Sequence, residues 1–185
     1  MMSPLKFRDA ALSDLTNDIG CYVLADLDNV PIYVGQSIDG IRSRVRRHLT
    51  SARSDIIANR QIDVWEIGFV HAYPVAARSD IAILEAALFF HFDVKSQLMN
   101  GSIPKTVVQG FDIPEAEQII CVVDEDDLRE RLSPEVRLPR QAQHYARLVD
   151  HYLIVKKSDQ IARSMHAHFE RMRKYHFDLL DKDVV

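Results

Sequence analysis

The chain is 185 residues long, 47% hydrophobic and 27% charged, enough for one globular domain with an appendage or for two small ones. A net charge of −4 argues against a non-specific nucleic-acid coat, and no apolar run approaches the roughly eighteen residues of a membrane span. Cys21 and Cys121 lie far apart and outside any CxxC or Cys/His pattern, so neither a disulfide framework nor a zinc site is expected, and a reducing, cytoplasmic setting is.

Residues 1–17 read as an N-terminal arm with one short helical stretch and without the basic and apolar regions of a signal peptide. Short apolar runs near 20–25 and 31–35 flank Asp26-Leu27-Asp28-Asn29, residues that tolerate a tight reversal, and together they predict a hairpin. Tyr22 and Tyr33 lie one on each strand. A turn centred near Leu27 and Asp28 makes them direct partners; one centred on Asp28-Asn29 makes them diagonal neighbours. Either puts both phenols on one side of the sheet.

After Gly35, the spacing of Ile41, Val45, Leu49, Ala52 and Ile56 predicts a helix from about 40 to 58. Arg44 and His48 are i and i+4, on one flank of its apolar stripe at the border with solvent. Residues 36–60 hold six arginines against two aspartates, a local basic surface suited to phosphate. Arg42, Arg46, Arg47 and Arg53 are the candidate DNA-backbone contacts. Arg42, Arg46 and Arg53 fall on the flank opposite Arg44, where a merely solvated helix face is the competing reading.

Ile62 to His71 alternates well enough for a third strand, ended by Tyr73-Pro74, and Ser79 is the expected N-cap of the next helix. That helix, IAILEAALFFHF, is apolar almost all round, so Glu85 within it needs a cation, a donor or a metal unless it holds the single solvent-facing stripe. Asn100-Gly101 suits a helix-terminating turn. Gly101, Pro104, Gly110 and Pro114 suggest a boundary. The expected division is therefore an arm at 1–17, a domain at 18–110 and a mainly helical extension at 111–185. The extension opens with an apolar run at 119–123 and the acidic helix start DEDDLRERL. A proline-containing connector, SPEVRLPR, then leads to one or two amphipathic helices from about 141 to 180. The histidines at 91, 144, 151, 166, 168 and 176 form no ligand set and read as surface residues.

The run GCYVLADLDNVPIYVGQSIDGIRSRVRRHL resembles the GIY-YIG nuclease family, with Gly20-Cys21-Tyr22 and Tyr33-Val34-Gly35 as its two signatures. Arg44, with Arg42 as its alternative, and His48 match the arginine and histidine of the restriction-type branch. Glu85 matches the helix-borne glutamate and Asn100 the asparagine beyond it. The resemblance implies an α+β fold with a small antiparallel sheet of about three strands flanked by helices. It implies a divalent-metal-dependent endonuclease acting on DNA, with Tyr22, Tyr33, Arg44, His48, Glu85 and Asn100 as catalytic residues. Glu85 would be the ligand of Mg²⁺ or Mn²⁺. A non-catalytic DNA-binding or interaction module on the same scaffold, and a structure-specific repair nuclease, are the competing functions. No motif residue lies beyond Asn100, so the extension is expected to position DNA or to form a homodimer through its helices.

Overall fold

A computed structural model of the chain describes residues 3–50, 60–106, 110–155 and 157–181. The fold is α+β, with a four-stranded antiparallel sheet and six helices among the described residues. Helix α1 (Pro4–Ser13) starts at Ser3, whose hydroxyl accepts from the Lys6 amide, with Pro4 in the first turn, where its missing N–H costs nothing. Strands β1 (Gly20–Asp26) and β2 (Pro31–Ser37) form the expected hairpin. Its turn is built by Asp26, whose Oδ1 accepts from the amides of Asp28 (2.9 Å) and Val30 (2.8 Å), while Asn29 takes a left-handed φ of 59°.

Helix α2 (Ile41–Thr50) turns Ile41, Val45, His48 and Leu49 inward. The remainder of the helix expected up to residue 58, with Ala52, Arg53 and Ile56, lies outside the described residues. The first amides of α2 are taken by the loop before β1: Ile41 donates to the Asp18 carbonyl (2.9 Å), Arg42 to that of Thr16 (3.0 Å) and Ser43 to Asn17 Oδ1 (2.9 Å).

The third strand starts later than its alternation suggests. Asp63 accepts from the Trp65 amide and caps a 3-10 turn at Val64–Glu66, so β3 runs Ile67–Pro74. Helix α3 (Arg78–Asp93) begins just before the expected Ser79 cap, at Ala77, which offers no side-chain bond; Ser79 instead donates to the Asp80 carboxylate. The apolar run after residue 118 is a fourth strand, β4 (Gln118–Cys121), antiparallel to β3. The sheet order is β2-β1-β3-β4, so the chain beyond residue 110 closes one edge of the sheet that carries the tyrosines.

Asp124 caps α4 (Glu125–Leu132). The segment SPEVRLPR is not a connector. It is the first part of α5 (Pro134–Ile154), with Pro134 at the helix start and Pro139 on an exposed position, where the lost backbone bond is tolerated. Helix α6 (Asp159–Leu179) is capped by Ser158 and packs on α5.

Every residue of β1 is buried, because both sheet faces are covered. Tyr22, Leu24 and Ile32 pack with Leu12 of α1, Leu15 just beyond it, and Ile41, Val45 and Leu49 of α2, and Ala167 of α6 joins this cluster. Cys21, Val23 and Val34 meet Ile81, Leu84, Leu88 and Phe89 of α3 on the other face. Burying a leucine or phenylalanine stabilises by about 1.5–3 kcal/mol each, so both layers are needed to hold the central strand.

Two of the histidines expected at the surface are core residues. His144 and His168 stack with ring centroids 4.7 Å apart, and their Nε2 atoms meet the carbonyls of Arg60 (3.0 Å) and Gln61 (2.9 Å). Burial holds His168 neutral, its pKa lowered to about 3. A sequence pattern does not reveal this, because the carbonyls lie 84 and 107 positions away.

Candidate active site

The hairpin register decides the placement of the tyrosines. Tyr22 pairs with Gly35 and Leu24 with Tyr33, so the phenols are diagonal neighbours on one face, as a turn at Asp28-Asn29 requires. Their ring centroids are 6.4 Å apart. Gly35 has a steric reason to be glycine: a Cβ there would collide with the end of the Tyr22 ring, which lies across it.

Helix α2 delivers His48 to the same place. Its ring lies 6.0 Å from that of Tyr22 and 6.3 Å from that of Tyr33, so the three rings form a nearly regular triangle. His48 Nε2 and Tyr22 Oη are 2.8 Å apart in a fully buried hydrogen bond, whose direction follows the imidazole tautomer. Burial pushes the Tyr22 phenol well above its usual range and Tyr33 adds to this, while the Arg44 guanidinium beside it pulls the other way. Tyr22 is therefore a neutral phenol at pH 7, with a nitrogen on its oxygen and a cation at its side.

Arg44 is half-buried, and its Nε is buried without a hydrogen-bond partner among the described residues. It lines a recess of about 140 Å³ with Arg47, Ser43 and Gln36. Arg42 and Arg46 point elsewhere. Arg42 donates to the Ser13 carbonyl (2.8 Å) and Arg46 pairs with Asp9, so both fasten α2 to α1. Of the four candidate backbone contacts, Arg47 alone shares the recess of Arg44, and Arg53 lies outside the described residues.

Glu85 comes from the opposite sheet face and meets the others around the outer edge of β2. It is half-buried, and its Oε2 accepts from Gln36 Nε2 at 2.9 Å. Burial raises its pKa, which a nearby cation would reverse. Glu85, Tyr33 and Asn100 line one pocket of about 310 Å³. Asn100 sits on the β2 edge, accepting from the Val34 amide (3.0 Å) and donating to the Val34 carbonyl (2.7 Å). With the Met99 amide on the Ile32 carbonyl (2.7 Å), this covers part of the edge strand. Helix α6 holds that segment: Arg163 donates to the Asn100 carbonyl (3.1 Å) and Ser164 to that of Met99 (2.9 Å).

Among the described residues no group of three His, Cys, Asp or Glu side chains could hold a metal ion by itself. One carboxylate open to a polar pocket does suit Mg²⁺, which keeps waters and takes phosphate oxygens to complete its shell. Sequence reasoning missed Gln36, which orients Glu85. Its signal was a polar residue on the Val34 face of β2, but the facing helix is known only from the fold.

No helix among the described residues is long and apolar enough to cross a membrane. The family model of the GIY-YIG catalytic domain matches residues 18–91. No curated protein matches the chain.

Proposed function

From the match of residues 18–91 to the GIY-YIG catalytic domain, we propose that the protein is a divalent-metal-dependent endonuclease hydrolysing DNA phosphodiester bonds. The observation that carries this reading is the convergence of the Tyr22–Tyr33–His48 triangle, the Arg44 guanidinium and the Glu85 carboxylate around one strand edge.

Tyr22 takes the proton of the attacking water and His48, already on its oxygen, accepts or relays the phenolic one. A free phenol has a pKa of about 10, and burial raises this one further, so Tyr22 needs the proton route through His48 and the cation at Arg44. Arg44 gives the phosphate charge-assisted bonds, joined by the Tyr33 hydroxyl. Glu85 would hold Mg²⁺ or Mn²⁺, which supplies Lewis-acid stabilisation of charge on the phosphate and leaving oxygen. Gln36 keeps the carboxylate in place, and Asn100 keeps β2 and the pocket wall in register. Arg47 contributes to DNA-backbone binding beside Arg44. The free cysteines Cys21 and Cys121 suit a reducing, cytoplasmic setting.

One site per chain cuts one strand at a time, which favours a homodimer for double-strand cleavage. Most of the apolar face of α5 and α6 is buried within the chain, at Leu148, Ile161, Ala167 and Tyr175, which leaves Leu153 to Val155 exposed for a second subunit. Light scattering with and without DNA tests this.

The deciding experiment is cleavage of plasmid DNA with Mg²⁺ or with chelator, by wild type and by Glu85→Gln. The substitution keeps shape and the Gln36 contact region but removes the charge. Cleavage is expected to require the metal and to drop by about two orders of magnitude or more in the variant, with DNA binding retained. Full cleavage by Glu85→Gln sinks the metal-ligand role; no cleavage by wild type with any divalent metal sinks the nuclease reading.

A further inference from the structure

The pocket that holds Glu85, Tyr33 and Asn100 has a second wall, and nothing in the chemistry above uses it. It is made by Gln61, Gly101, Ser102, Ile103, Pro104 and Gln160. We infer that this wall is a nucleobase subsite, in which the Gln61 side-chain amide reads the edge of the base next to the scissile phosphate. The inference rests on the nuclease reading and adds to it the residue that selects where the cut falls.

The wall carries no charge, so it is not built for the phosphate backbone, which proteins engage mainly through Arg and Lys. Its polar groups are carboxamides and a hydroxyl, each with donor and acceptor capacity, the vocabulary of base-edge recognition. The Gln61 side-chain amide makes no hydrogen bond to any described residue, whereas its backbone is fixed, because the carbonyl accepts from buried His168 Nε2 at 2.9 Å. A pinned backbone under an uncommitted amide is preorganised for a ligand. Gly101 makes the room: a Cβ there would strike Gln61 Nε2, so the amide reaches across the loop backbone into the pocket. The opposite side of the wall is ordered as well, since Gln160 Nε2 donates to Ser102 Oγ at 3.1 Å, while the Gln160 side-chain Oε1 makes no hydrogen bond to a described residue. Ile103 is 54% exposed beside these amides, an apolar surface for a base face or a thymine methyl. A glutamine paired with adenine through N6 and N7 satisfies both ends of the amide, so adenine is the preferred base at this position.

The test is to sequence the ends produced by full-length protein from a random-sequence DNA pool with Mg²⁺, for wild type, Gln61→Ala, Gln61→Glu and Gln160→Ala. Wild type is expected to favour adenine at one position beside the cut. Gln61→Ala flattens that position and slows cleavage of the best site roughly ten- to a hundred-fold, the range of one bidentate base contact, without flattening the other positions. Gln61→Glu, which only accepts, shifts the preference towards cytosine. Gln160→Ala changes an exposed residue, leaves the fold intact and weakens the same preference by a smaller factor. A preference that survives Gln61→Ala, or a wild type that cuts with no preference beside the scissile bond, overturns the subsite and leaves the nuclease reading standing. A wild type that cuts nothing overturns both.

Discussion

Two clusters of polar side chains lie at opposite ends of the same hairpin, and they use polarity in opposite ways. At one end Tyr22, Tyr33, His48, Arg44 and Glu85 gather, and the one carboxylate, Glu85, accepts from a single side-chain amide, that of Gln36, among the described residues. At the other end Asp26 and Glu66 are consumed. Arg137 bonds Glu66 through Nε (2.8 Å) and reaches Asp26 (3.2 Å) and Asp28 (2.6 Å); Arg171 pairs with Asp26; Gln141 and Tyr175 donate to Glu66 at 2.9 and 2.8 Å. The Arg137 guanidinium also lies 4.0 Å over the Tyr175 ring. The difference teaches how to tell a site from a strut. In the strut, which ties α5 and α6 to the hairpin, each buried carboxylate is met by two or more donors, whereas Glu85 in the candidate site has one among the described residues.

The comparison breaks most visibly at Arg137. Arg137→Ala leaves Glu66 and Asp26 buried with fewer counter-charges, and a loss of about 3–5 kcal/mol in stability is expected by urea unfolding. An equally stable variant would mean that the network is not a strut. Tyr22→Phe should do the reverse. It removes one buried hydrogen bond, about 1 kcal/mol of stability, while turnover falls by roughly two orders of magnitude or more. Wild-type turnover by Tyr22→Phe between pH 6 and 9 would return Tyr22 to the core.

A third test works through pH, at the buried His168. His168 is neutral in the fold, with its pKa lowered from 6.5 to about 3, so the unfolded chain binds more protons across that interval. Stability contributed by this side chain is complete above about pH 6.5 and is lost as pH falls towards 3, by at most about 1.4 kcal/mol per unit. Burial raises Glu66, which works in the opposite sense above its ordinary range, so the readout is the slope difference between wild type and His168→Gln rather than either slope alone. Equal slopes would refute the neutral buried histidine. The least effect belongs to Arg46→Ala, whose partner Asp9 is as exposed as itself; a change within about 0.5 kcal/mol and unaltered DNA binding are expected. A clear loss of DNA affinity would show that Arg46 leaves Asp9 for phosphate.

What was legible in the sequence was local. The hairpin turn, the common face of the phenols and the i, i+4 placement of Arg44 and His48 depend on neighbours within one element or one reversal. Glu85 stood out because an acid in an apolar helix demands a partner, though the partner, Gln36, lies 49 positions away. The fourth strand looked like an apolar run because four residues on a sheet edge carry little pattern. The struts were invisible for a plainer reason: Arg137 and Asp26 are 111 positions apart, and each reads alone as a surface charge. The stacked histidines failed in the same way, since no spacing announces a carbonyl supplied by a distant loop.

The Asp26 strut also sets a schedule. The hairpin bearing both tyrosines is made well before α5 and α6, so Asp26 waits for Arg137, 111 positions on, and then for Arg171. At about 5–20 residues per second, synthesis leaves that interval open for roughly seven to thirty seconds. During it, β3 lacks its neighbour β4, and the Asn100 segment lacks the Arg163 and Ser164 grip. A nascent chain thus holds Tyr22, Tyr33, His48, Glu85 and Asn100 well before it holds the α5 and α6 contacts that fix the sheet around them.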